Sequence, residues 1–169
     1  MRMPNAVRNV RTISALLNAA EQEARASGED LPGAEHLLLA ALTLEEDSAR
    51  RAFARVGADP DDLRAAIDAQ HADALRAIGI TPTDDALLAA AHEDPPPPRG
   101  LYKASPSGQA ALHAAVSFQK RRRGSRLLGA HVVGAVAGTE HGTAARALRA
   151  MGVDREALRA AASEVLEEG

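Results

Sequence analysis

The sequence predicts an all-α protein, and three observations carry that expectation. Ala and Leu dominate the apolar residues, whereas aromatic residues make up 2% of the chain and Trp and Cys are absent. Ala and Leu favour helix, and small side chains let helix axes approach toward the short end of the roughly 8–10 Å range. Next, Gly33-Ala34-Glu35-His36-Leu37-Leu38-Leu39-Ala40-Ala41-Leu42-Thr43-Leu44 runs almost without polar interruption, as a helix covered on most sides does. β-branched residues are nearly missing from it, which argues against a strand. Finally, the chain repeats itself 95 residues on: His36, Gly57 and Asp59 recur as His131, Gly152 and Asp154. Leu63-Arg64-Ala65-Ala66 recurs unchanged as Leu158-Arg159-Ala160-Ala161, and no gap is needed from His36 to Ala66. Two four-helix repeats related by a pseudo-twofold axis follow, forming one compact bundle of about eight helices.

Taken in order, residues 5–26 form the first helix, with Val7, Val10, Ile13, Leu16, Leu17 and Ala20 at helical spacing. Gly28 suits the left-handed residue that closes such a helix. Leu31-Pro32-Gly33 turns into the buried helix, which gives way at Glu45-Glu46-Asp47. A short third helix over residues 48–56 places Ala49, Ala52, Phe53 and Val56 on one face, and Gly57 stops it. Asp59-Pro60 is an N-cap followed by proline at the first helical position, opening a fourth helix with Leu63, Ala66 and Ile67. Residues 74–80 continue or restart a helix, ending near Gly79. Thr81-Pro82-Thr83-Asp84 resembles another start, with Leu87 and Leu88 apolar. Four prolines, Pro95 to Pro98, predict an extended strap or linker.

The pattern then begins again. Ser105-Pro106 caps a helix reaching about residue 123, with Ala111, Leu112, Ala115, Val116 and Phe118 apolar. A buried helix spans 128–137, a short one 143–151 stops at Gly152, and a last one spans 154–166. Residues 1–169 therefore make a single domain: repeat one at about 7–70, a connecting segment at about 71–104, and repeat two at about 105–167.

The length of 169 residues suits one domain or two fused halves. A net charge of -3 argues against a dedicated nucleic-acid binder, and the lack of cysteine excludes disulfides, thiolate metal sites and a Cys nucleophile. No apolar run approaches the length of a membrane span, and no h-region follows the first arginines, so a soluble cytoplasmic protein is expected.

Gly33-Ala34-Glu35-His36-Leu37-Leu38-Leu39, then Ala49, then Leu63 after the Gly57-Ala58-Asp59 turn, resemble the repeat of the Clp amino-terminal domain family. That motif occurs twice per domain, and Ser105-Pro106 resembles the Thr-Pro that opens the second copy. The resemblance covers roughly residues 7–70 and 105–166. It implies a binding module: in ClpA- and ClpC-type unfoldases this domain sits ahead of the ATPase rings and docks adaptors and substrates for the ClpP peptidase. Some members recognise phosphorylated arginine. The chain holds no Gly-x-x-x-x-Gly-Lys-[Ser/Thr] phosphate loop. The expectation is a stand-alone accessory member without ATPase modules, which captures substrates or adaptors or competes for them with the unfoldase.

The resemblance also implies candidate site residues. The family's phosphoarginine pockets pair a Thr with the Glu of the Glu-His motif. In the first copy Glu35 matches, Val10 holds the Thr position and Thr12 lies nearby; in the second, Ser105 stands for Thr and Ala130 holds the Glu position. A carboxylate suits a guanidinium through paired charge-assisted hydrogen bonds, and hydroxyl and backbone N–H groups suit phosphate. Glu35 is better explained as a favourable charge at a helix N-terminus.

His36 and His131 lack partners at metal-ligand spacing, which favours buried histidines with satisfied hydrogen bonds. Lys120-Arg121-Arg122-Arg123 with Arg126 forms a basic run at a helix end, either solvated or a patch that docks an acidic partner. Asp59, Asp61, Asp62, Asp84 and Asp85 are explained by adjacent helix caps. Leu101-Tyr102 beside the proline run is either a strap packed over the bundle or an apolar contact for a partner. No nucleophile–base–carboxylate set is visible, so no enzyme, cofactor or metal is expected. The first functional expectation is a non-catalytic protein-binding module linked to Clp-type proteolysis. The second is a helical DNA-binding or regulatory protein that uses the basic patch 120–126.

Overall fold

The structure, a computed structural model, describes residues 5–80, 103–121 and 126–169. Eight helices occur among the described residues, with no strand: α1 (Asn5–Ala26), α2 (Ala34–Ala41), α3 (Ser48–Arg55), α4 (Asp62–Ala77), α5 (Pro106–Lys120), α6 (Gly129–Ala137), α7 (Thr143–Ala150) and α8 (Arg155–Glu167). The expected helix start at 81–84 with Leu87 and Leu88, the proline run, Leu101-Tyr102, and Arg122 and Arg123 lie outside the described residues.

The core is built on α2 and α6. Every residue of α2 is buried, and so is every residue of α6 except Ala135. These two helices pack on each other, with α1 against α2 and α5 against both. The remaining helices interlock. The closing helix α4 of repeat one packs on the short helix α7 of repeat two, and α8 packs on α3. Phe53 and Leu148, at equivalent positions on α3 and α7, are fully buried. Arg55 on α3 pairs with Glu164 on α8 at 2.9 Å and also with Glu168.

Local chemistry explains the helix limits. Ser105 caps α5, its hydroxyl accepting from Gly108 N–H at 3.3 Å, and Asp154 caps α8 by accepting from Glu156 and Ala157 N–H. Gly57 and Gly152 have φ of 70° and 72°, and Ala58 N–H and Val153 N–H return to Phe53 and Leu148 carbonyls. Left-handed residues that close a helix in this way favour glycine, so the repeat preserves the same stop twice.

Two expected limits move. Helix α2 ends at Ala41 rather than at residue 44, because Leu42, Thr43 and Leu44 N–H bond three residues back and tighten the last turn. Helix α4 starts at Asp62 rather than at Pro60, because residues 59–63 first form turns of the same kind. It then runs without interruption through residues 74–77, so no second helix starts there. Among the described residues no helix is long and apolar enough to cross a membrane.

Close helix approach leaves its mark at Gly129. A Cβ there would lie 2.9 Å from the Ala41 carbonyl oxygen and 2.9 Å from Ala49 Cβ. Glycine to alanine stabilises an open helix position by about 1 kcal/mol. Here the sign reverses: Gly129→Ala is expected to lower unfolding stability by about 1–3 kcal/mol in urea titration, since overpacking forces backbone apart.

Candidate functional site

Both buried helices begin inside the protein, where unpaired backbone N–H groups cannot turn to water. Each start is closed by the same device. His36 Nδ1 accepts from Gly33 N–H at 2.9 Å, and His131 Nδ1 accepts from Leu128 N–H at 3.0 Å. This is the returning half of a capping box, with histidine in the role usually taken by Glu or Gln. Because Nδ1 is an acceptor, each ring carries its proton on Nε2 when neutral. Burial pushes the His36 pKa below the usual histidine range, against the opposing pull of the Glu35 and Glu29 carboxylates. Both histidines staple their helix starts through Nδ1, while His36 Nε2 has no hydrogen-bond partner among the described residues, so the expected satisfaction of that ring holds at one nitrogen only.

The rest of each start is completed by the opposite repeat. At α6, Asn9 Oδ1 accepts from Leu127 N–H at 2.9 Å. Glu46 accepts from Gly129 N–H at 2.6 Å with one carboxylate oxygen and from Ser48 N–H at 2.9 Å with the other. Ser48 Oγ accepts from Ala130 N–H at 2.9 Å. At α2, Ser107 Oγ accepts from Ala34 N–H at 3.3 Å, and Ser105 N–H donates to the Pro32 carbonyl at 3.1 Å. The Ser105 and Ser107 hydroxyls are 3.1 Å apart.

This crossing determines where the candidate residues sit. Ser105 of repeat two stands at the start of α2, its N–H on the carbonyl of Pro32, three residues before Glu35 of repeat one. Asn9, beside Val10, stands at the start of α6, which contains Ala130. Val10 is exposed and Ala130 is fully buried, so neither side chain offers a polar group to a pocket. Thr12 and Arg126, proposed for two separate sites, line one cleft of about 580 Å³ together with Arg11, Ala15, Thr43, Leu44, Glu45 and Glu46. Arg121 instead lines a second cleft of about 410 Å³ between α5, α6 and α8, with Phe118 and Arg159. Lys120 is exposed. Arg121 and Arg126 thus lie on different clefts.

Sequence reasoning missed two groups. Glu46 and Ser48 looked like loop and helix start, and nothing in their local pattern shows that they serve α6, more than 80 residues away. Glu29 and His71 also went unremarked. His71 on α4 lies beside Glu29 after α1, and both lie beside Glu35, with ligand-type atoms of all three within 4.8 Å of one another. His71 falls in a stretch with no motif to mark it.

The first repeat and part of the connecting segment, residues 11–93, match the sequence profile of the Clp repeat (R) N-terminal domain. The crystal structure of the N-terminal domain of the caseinolytic protease associated chaperone ClpD from Arabidopsis thaliana has a similar fold, with a TM-score of 0.56 and 20% identity over 92% of this chain and 94% of that one. No curated protein sequence matches.

Removing the Glu46 carboxylate leaves two backbone donors unpaired at a partly buried helix junction. Glu46→Ala is expected to cost about 1–3 kcal/mol in chemical denaturation, whereas Glu45→Ala beside it changes stability by less than about 0.5 kcal/mol.

Proposed function

We propose, from the match of residues 11–93 to the Clp repeat N-terminal domain, that the chain is a non-catalytic module that captures protein substrates or adaptors of Clp-type proteolysis. The family match is the observation that carries this reading. The domain would hold such proteins for an unfoldase or compete with it for them.

The cleft beside the start of α6 is the docking surface that best suits the role. Arg11 and Arg126 supply positive charge, and the Thr12 and Thr43 hydroxyls supply neutral hydrogen-bonding groups. Together these favour an acidic or phosphorylated segment of a partner. Glu45 and Glu46 lie on the same cleft, and Glu46 is already committed to two backbone N–H groups. The start of α2 has the opposite character, since Glu35 is turned in toward Glu29 and His71. A guanidinium group would have to compete for a carboxylate that is 6% exposed. For that reason the proposal does not rest on phosphoarginine at Glu35 and Ser105.

Two assays test it. Affinity capture on the immobilised domain is expected to enrich Clp adaptors or degradation substrates, and an excess of the free domain is expected to slow degradation of those substrates by a ClpC-type protease. Arg11→Ala combined with Arg126→Ala is expected to weaken capture roughly tenfold, about 1.4 kcal/mol. Failure of both assays, with tight duplex-DNA binding that falls steeply with salt, would overturn the proposal in favour of nucleic-acid binding.

A further inference from the structure

We propose that Glu29, Glu35 and His71 form a binding site for a first-row divalent cation, best matched by zinc. The three donors come from separate elements: the loop after α1, the first turn of α2, and α4. Their ligand atoms lie within 4.8 Å of one another, and His71 Nε2 is 3.2 Å from Glu29 Oε1. Nitrogen and oxygen donors bind zinc at about 2.0–2.2 Å, so tetrahedral donors stand roughly 3.4 Å apart. One edge of such a polyhedron is therefore already in place, and small side-chain rotations close the others. An imidazole with two carboxylates suits zinc better than calcium or magnesium, which prefer oxygen alone.

Two independent features point to a missing ligand. His71 Nε2 is buried and makes no hydrogen bond, despite its closeness to Glu29. Glu35 is 6% exposed, so its carboxylate is largely withdrawn from water. Its neighbour His36 Nδ1, at 3.8 Å, is already accepting from Gly33 N–H. A carboxylate withdrawn from water is costly unless a cation or donors compensate it.

The fold does not need these groups. Repeat two builds the same histidine staple, yet the residues 95 positions on are Gly124, Ala130 and Leu166, none of which can bind a metal. Gly33 also matters here. A Cβ at that position would lie 2.8 Å from both Glu35 carboxylate oxygens, so glycine lets Glu35 fold back over the helix start. The equivalent position in repeat two, where no carboxylate folds back, is Leu128.

The test is zinc titration of the full chain after chelator treatment, by calorimetry and by competition with a chromogenic chelator. One equivalent is expected to bind. His71→Ala and Glu29→Gln should each weaken it by at least the roughly 10–100-fold that losing even an outer-shell partner costs. Gly33→Ala should weaken it by displacing Glu35, while His113→Ala and His141→Ala leave it unchanged. Far-ultraviolet circular dichroism checks that each variant stays folded, and the partly exposed Glu29 makes Glu29→Gln the variant least able to disturb the core. Absence of a stoichiometric site, or a site that survives both His71→Ala and Glu29→Gln, overturns the proposal. The titration involves no protein partner, so its outcome is separate from that of the capture assays.

Discussion

The constraint on which this structure depends is the start of a helix that has no access to water. An α-helix leaves its first N–H groups unpaired, and α2 and α6 place those groups in the middle of the bundle. Leaving several buried donors unmet would cost more than a domain of this size can tolerate. The solution is a staple from within, His36 or His131, and side-chain acceptors from the opposite repeat. That requirement draws the halves together at both junctions and accounts for the most distant hydrogen bonds of the core, from Asn9 to Leu127 and from Glu46 to Gly129.

The two junctions share a backbone plan and differ in chemistry. Around α6 the carboxylate of Glu46 is consumed in capping, and Arg11 and Arg126 share the adjacent cleft with Glu45. Around α2 the capping falls to the Ser107 hydroxyl and His36, and Glu35 meets Glu29 and His71 instead. One scaffold occurs twice with different residues at its helix starts: Arg11, Arg126, Glu45 and Glu46 line the cleft beside one, and Glu29, Glu35 and His71 gather at the other. This is the economy by which a symmetric fold comes to present two distinct surfaces.

Much of the architecture was legible in the sequence because it rests on local and periodic signals. The apolar run after Glu35-His36, the glycine stops at Gly57 and Gly152 and the caps at Ser105 and Asp154 each act within a few residues, and the offset of 95 tied them into two copies. The errors at the ends of α2 and the start of α4 came from tightened turns, which apolar periodicity does not register. The sites were less legible because they are assembled across the repeats. Pairing Thr12 with Glu35, or Ser105 with Ala130, assumes that each copy builds its own pocket. The chain crosses over instead, setting Ser105 beside Pro32 and Thr12 on the same cleft as Arg126. His71 could be found only once α4 was known to run unbroken past residue 70 and its side chain was seen next to Glu29.

The exchange of closing helices has a consequence for biosynthesis. Helix α3 is covered by α8, whose first residue follows it by 100 positions, so on the ribosome the short helix emerges long before its cover has been made. Phe53 and the alanines beside it must wait, exposed or in provisional contacts, until α8 leaves the exit tunnel. Synthesis at roughly 5–20 residues per second makes that wait last seconds. Maturation of the first half is thus postponed to the moment the second half arrives, and the nascent polypeptide is most in need of shelter from aggregation during that interval.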